Sequence, residues 1–261
     1  LSYNGDDEKV EVDEASITLG KTEEMPFFLT AGKVYLPFGD FTTAMLQDPL
    51  TLTLGEINDA GAIGGVEMRG FVAMLFTYSG MEETGKDEKI NGFGAAVTYT
   101  YGQDDFRVGT GISLVSNLAD AAGINDPLDE AGVATLTDVV PGLAAHLNFG
   151  FGPFALTGEY VGALDSFAAE ELAFGDNGAQ PHAWRGEFSY TTEILTKETV
   201  FAAAYQQSDE ALALELPAER LSAAATVTVT DGTTFGVEGF FDQDYEKGDG
   251  GTGEEGYGCI A

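Results

Sequence analysis

The chain has 261 residues, of which 44% are hydrophobic, and its 11 basic and 44 acidic residues leave a formal charge of −33. That apolar content excludes a disordered chain. The negative charge excludes a nucleic-acid binder, since phosphate would be repelled rather than neutralised, and fits an acidic solvated surface, a cation-attracting cavity or a source with saline surroundings.

Leu1-Ser-Tyr3 reads as the end of an earlier strand, followed by an acidic loop near 4–9. From about Val10 the chain becomes a series of period-two runs with almost no helical periodicity. The run Phe27–Tyr35 carries Lys33 at its centre and passes into Leu36-Pro37-Phe38-Gly39-Asp40. A buried soluble strand rarely keeps such a lysine, but a strand with lipid on one side and water on the other can place Lys33 on the wet side. Pro37 and Gly39 then turn the chain off the rim, because a residue without an N–H has no place inside a spanning strand and glycine relieves the bend.

Further runs repeat the pattern. Phe93, Ala95, Val97, Tyr99 and Tyr101 oppose Thr98 and Thr100, while Phe106, Val108, Ile112 and Leu114 oppose Arg107 and Ser113. Leu143, Ala145, Leu147, Phe149 and Phe151 oppose His146 and Asn148; Trp184, Phe188 and Tyr190 oppose Arg185, Glu187 and Ser189. Leu221 to Thr230 alternates almost without exception, Asp231-Gly232 makes a two-residue hairpin turn, and Phe235, Val237 and Phe241 return opposite Glu238 and Asp242.

Connections alternate in length. Short ones are expected near 20–25, 57–61, 102–105, 150–153, 194–197 and 231–232; long, acidic ones near 4–9, 37–49, 80–91, 116–137, 162–182, 207–219 and 243–255. Antiparallel neighbours joined this way gather the tight turns at one end and the long loops at the other, as outer-membrane barrels do. The runs suit tilted strands crossing a bilayer, and tyrosines near several strand ends suit an aromatic girdle. The fold expected is all-β: a transmembrane, antiparallel, up-and-down β-barrel, closed because lipid does not tolerate unpaired edges. A soluble β-sandwich is the competing architecture. Twelve strands can be traced from about Val10 to Gln243, and Gly256–Ala261 reads as a piece of a later one, so residues 1–261 form a single barrel domain expected to lack its first strands.

Three segments in series give a specific resemblance. Val12-Asp-Glu-Ala-Ser-Ile-Thr-Leu-Gly20, Phe28-Leu-Thr-Ala-Gly-Lys-Val-Tyr-Leu-Pro-Phe-Gly-Asp-Phe41 and Asp48-Pro-Leu-Thr-Leu-Thr-Leu-Gly-Glu56 resemble the LbtU-type siderophore porins in order and spacing. The match covers roughly residues 8–70; the AG[KR]…PFG piece alone also occurs in other porin families. The resemblance implies a barrel of about sixteen strands behind an N-terminal periplasmic segment, bacterial outer-membrane localisation, and passive passage of small polar solutes, including an iron–siderophore complex.

A barrel that wide holds an aqueous channel. The polar phase supplies the candidate lumen-lining residues Lys33, Glu67, Arg69, Arg107, Glu159, Arg185, Glu187 and Glu238. The expected partners are outer-membrane lipid, a small polar solute or ferric siderophore, divalent cations at the acidic loops, and further copies of the chain. No cofactor, catalytic group or metal-ligand set is expected: Cys259 is the single cysteine, and His146 and His182 fall on different strands. Ser113 with His146 is the one pair that suggests acyl-transfer chemistry, and no third member accompanies it. A structural or surface-assembly barrel and an ion-selective porin of another family stay open as alternatives.

Overall fold

The computed structural model describes residues 2–4, 9–22, 25–85 and 90–261. Thirteen strands form one antiparallel sheet, each paired with its neighbours in sequence. They are β1 (Ala15–Thr22), β2 (Met25–Tyr35), β3 (Asn58–Met68), β4 (Phe71–Tyr78), β5 (Gly92–Gln103), β6 (Phe106–Val115) and β7 (Gly142–Phe151). The meander continues through β8 (Phe154–Ala163), β9 (His182–Ile194), β10 (Lys197–Asp209), β11 (Glu219–Thr230), β12 (Thr233–Gln243) and β13 (Glu255–Ile260). The expected late piece at 256–261 is thus a paired strand against β12, with Phe241 opposite Tyr257. Ser2–Asn4 pairs with Lys9–Glu11 in a separate small ladder.

The two faces of this sheet invert the pattern of a soluble protein. In β9, Trp184 and Phe188 are exposed while the alternating Ala183, Arg185 and Glu187 are buried. In β12, Phe235, Val237 and Phe241 are exposed while Glu238 is buried. Large side chains such as Ile17 and Leu75 reach 71% and 72% exposure, and their row recurs on strand after strand. A monomer in water rarely shows an apolar patch beyond a few hundred Å², so this face requires another apolar phase. No helix among the described residues is long and apolar enough to cross a membrane; the strands carry the apolar surface.

Among the described residues the tight turns lie at one end: Arg69-Gly70, Asp104-Asp105, Gly152-Pro153, Leu195-Thr196 and Asp231-Gly232. The long connections, 36–57, 79–91, 116–141, 164–181, 210–218 and 244–254, lie at the other. One expected turn is misplaced. The chain near 57–61 is not a tight connection but the start of β3, and the residues before it form helix α1 (Leu50–Gly55). Leu50, Thr51, Leu54 and Gly55 are buried while Leu52 and Thr53 between them are less so, a helical stripe that a period-two strand would not give. A second helix, α2 (Ala122–Glu130), packs on α1.

The connection 36–57 decides the architecture. Leu36 N–H donates to Ile57 O at 2.9 Å, closing the neck of the loop. Beyond the neck, Phe38 is buried and Gly39 adopts φ +82°, where a Cβ would strike the Phe41 ring. Pro37-Phe38-Gly39 therefore turns the chain inward over the polar face of the sheet. The segment reaches side chains on β6, β8, β9, β10 and β12, so the sheet curls around it. At the long-loop end, Phe38, Leu54, Ile57, Leu118, Ile124 and Leu128 belong to one apolar core.

Candidate functional site

The inward face of β8, β9 and β12 projects Glu159, Arg185, Glu187 and Glu238, all within the buried class. Strand alternation dictates their direction: each shares its phase with small or buried neighbours such as Val161, Ala183 and Gly236. Arg185 joins two of the carboxylates. Its Nε donates to Glu159 Oε2 at 3.2 Å, Nη1 to Glu187 Oε2 at 3.3 Å, and Nη2 to the Thr42 carbonyl at 2.5 Å.

The glutamates in turn hold the inward loop by its backbone. Glu159 Oε1 accepts from Asp40 N–H at 2.8 Å and Phe41 N–H at 3.1 Å, and Oε2 from the Thr51 hydroxyl at 2.8 Å. Glu187 accepts from Ala44 N–H at 2.8 Å and the Thr43 hydroxyl at 2.5 Å. Glu238 Oε2 accepts from Leu46 N–H at 2.5 Å and Gln47 N–H at 3.0 Å. Gln206 of β10 accepts from Leu50 N–H at 2.9 Å, which anchors the first turn of α1. Carboxylates bonded to backbone N–H groups make strong, charge-assisted contacts. Here they replace the ladder partners that an irregular segment lacks.

Around this clasp lie lesser contacts. Asn148 Nδ2 donates to Asp40 Oδ2 at 3.0 Å, and His146 Nε2 lies 3.5 Å from the same oxygen. Gly111 gives the His146 ring its room, since a Cβ there would sit 2.5 Å from it. Met45 packs with Ala202, Ala204 and Ala224. Arg220 grips Asp242 through two bonds, at 2.7 and 2.8 Å, with its guanidinium 5.3 Å from the Phe240 ring centre.

The remaining lumen candidates lie elsewhere. Lys33 is not in the wet phase that its sequence suggested: it alternates with Gly32 and Val34 and shares the phase of the exposed Phe27, Leu29 and Tyr35. Arg69 is in the β3–β4 turn with φ +53°, not on a strand wall. Glu67 has the inward phase of Ile63 but lies next to that turn and is exposed. Arg107 has the inward phase of Ser113, toward the tight-turn end beside Gly150. Of the pair that suggested acyl transfer, Ser113 Oγ accepts from Gly39 N–H at 3.2 Å and His146 faces Asp40. No Ser113–His146 hydrogen bond occurs among the described residues.

Sequence reasoning missed Gln206, Thr43 and Thr51. Gln206 had a signal, because Ala202, Ala204, Gln206 and Ser208 form one phase of β10. The two threonines had none, since their role depends on strands far away in sequence. Also missed was Asp120, in the connection 116–141. It accepts from Met81 N–H at 2.7 Å and the Tyr78 hydroxyl at 2.9 Å, and burial pushes its carboxyl up to about 6.

No protein-family model matches the chain. It is similar to a UPF0422 protein of Coxiella burnetii (strain RSA 493 / Nine Mile phase I), 29% identical over 258 residues that make up 95% of this chain and 55% of that protein. A UPF0422 protein of Legionella pneumophila (strain Lens) is 27% identical over 241 residues, 88% of this chain and 46% of that one. The chain spans about half the length of the curated relatives it matches. Among solved structures, a double variant of OccD1 (OprD) aligns with a TM-score of 0.40 and 12% identity, covering 89% of this chain and 73% of that one. Pseudomonas aeruginosa OprD aligns with a TM-score of 0.37 and 10% identity, covering 89% and 75%.

Proposed function

We propose that the chain supplies most of the wall of an outer-membrane β-barrel porin, through which small polar solutes pass a constriction formed by the inward loop 36–57. The observation that carries this reading is the inversion of the sheet: Phe188, Leu75 and Phe235 exposed on one face, Arg185, Glu187 and Glu238 buried on the other. Lipid accepts the first face and an aqueous or loop-filled interior the second. Short turns at one end and long acidic loops at the other fit a periplasmic and an external side. The charge of −33 would concentrate cations at the mouth. The similarity of residues 12–56 to siderophore porins makes a ferric siderophore the first solute to try.

One observation favours a second reading, a barrel closed at rest. The apolar core shared by Phe38, Leu54, Ile57 and Leu128 fills the long-loop end of the interior. Single-channel recording of the full-length protein in planar bilayers, across a salt gradient, separates the two. A stable conductance with a cation-directed reversal potential is expected for the porin. Inserted, folded protein with no conductance would overturn it in favour of the closed barrel.

A further inference from the structure

Among the described residues the buried carboxylates Glu159, Glu187 and Glu238 have one fully buried guanidinium, Arg185, which reaches only two of them, while Arg220, two residues from Ser222, is taken up by Asp242. No salt bridge to Glu238 occurs among the described residues, although its exposure is 1%. A buried carboxylate that stays ionised needs a counter-charge and a full set of donors. Glu238 has two donors, both on Oε2, and its buried Oε1 has no hydrogen-bond partner in the protein.

Two more buried oxygens have no hydrogen-bond partner in the protein: Gln47 Oε1 and Ser222 Oγ, the serine being 2% exposed. Gln47 is bonded to Glu238 through its own N–H. Ser222 lies on the same inward face of β11; its register partner is Phe240, while Glu238 faces Ala224 two residues along. Such diagonal positions are within reach of long side chains. One row across, Ala204 separates Ser222 from Glu187. The neighbourhood thus combines excess negative charge with a carboxylate, a hydroxyl and an amide oxygen that accept without receiving. Oxygen-only acceptors suit hard cations rather than zinc or copper.

We infer that Glu238, Ser222 and Gln47 form a site for a hard cation that locks residues 43–47 of the inward loop to the barrel wall. Bound there, the ion supplies the counter-charge that Glu238 lacks and stiffens the carboxylate that holds Leu46 and Gln47. The site therefore belongs to the loop's anchorage and does not depend on whether the barrel conducts.

The test is hydrogen exchange at the Leu46 and Gln47 amides of the folded full-length protein, at constant pH and ionic strength. The medium is N-methyl-D-glucamine chloride, too bulky to enter, or the same with potassium, sodium or calcium chloride substituted in. At ten times its dissociation constant, a small ion bound only to the closed loop should slow exchange about elevenfold. Glu238→Gln keeps an acceptor for both amides and removes the charge, so it should abolish the ion effect; Ser222→Ala should weaken it with the wall intact. The ion that slows exchange at the lowest concentration is the occupant class. Equal exchange in all four salts, or an ion effect that survives Glu238→Gln, would overturn the site and leave water or a proton as what satisfies these oxygens.

Discussion

Replacing Arg185 by methionine is the most demanding test of the clasp. The substitution removes both ion pairs and the bond to the Thr42 carbonyl while keeping an unbranched side chain of similar length. Removing one partner of a buried ion pair costs about 3–5 kcal/mol, because the other partner keeps its desolvation penalty. Here two carboxylates would be orphaned, and five loop groups hang from them: the N–H groups of Asp40, Phe41 and Ala44 and the hydroxyls of Thr43 and Thr51. The ladder bonds of β8, β9 and β10 do not involve these side chains, so the cost should appear as release of the loop rather than loss of the sheet. At the lower figure of about 3 kcal/mol, local opening rises on the order of 100-fold. Hydrogen exchange over residues 37–51 reads this directly, with the strands as internal reference. Arg185→Lys should recover only part of the protection, since one ammonium cannot reproduce the guanidinium's fork toward two carboxylates. Exchange within about threefold of the wild type would refute the reasoning, and with it the role of Arg185 as the bridge.

Two further predictions address other parts of the fold. Asp120, raised to about 6 by burial, should show a carboxyl carbon-13 titration midpoint near that value, and a midpoint near 4 would contradict its burial. Because its folded value lies above the unfolded one, its contribution to stability is full below about pH 4 and is lost as pH rises through about 6, and Asp120→Asn should flatten that slope. On the outward face, Phe188 lies between Leu156 and Ala203 in register. Phe188→Arg should cost about 2–4 kcal/mol in denaturant unfolding from lipid vesicles if that face meets the bilayer midplane. A change under about 0.5 kcal/mol would place Phe188 away from lipid.

Much of this molecule is readable from local pattern. Period-two alternation identifies the outward rows of β9 and β12 and puts Glu159, Arg185, Glu187 and Glu238 on the opposite face, because a strand's side chains alternate whatever it later packs against. The alternation of short and long connections establishes the meander for the same reason: antiparallel neighbours need only local turns. Arg107 shares the phase of Ser113, as the alternation of its run suggests.

Pattern fails where one segment could obey two periods. Leu50, Leu52 and Leu54 alternate like a strand, and only in the fold are Thr51 and Gly55 buried along with Leu50 and Leu54, the stripe of a helix. Lys33 misled because apolar residues flank it in both phases, and pairing with β1 and β3 was needed to choose between them. Where a run alternates cleanly, the sequence by itself determined which residues share the apolar face and which do not, since that follows from neighbours two positions apart. Only the tertiary structure decided what the polar face is for. Bonds such as Asp40 to Glu159 and Leu46 to Glu238 close over separations of 119 and 192 residues, which no local period encodes. Glu159, Glu187 and Glu238, three of the charges that suggested a pore lining, accept hydrogen bonds from the inward loop in the folded chain.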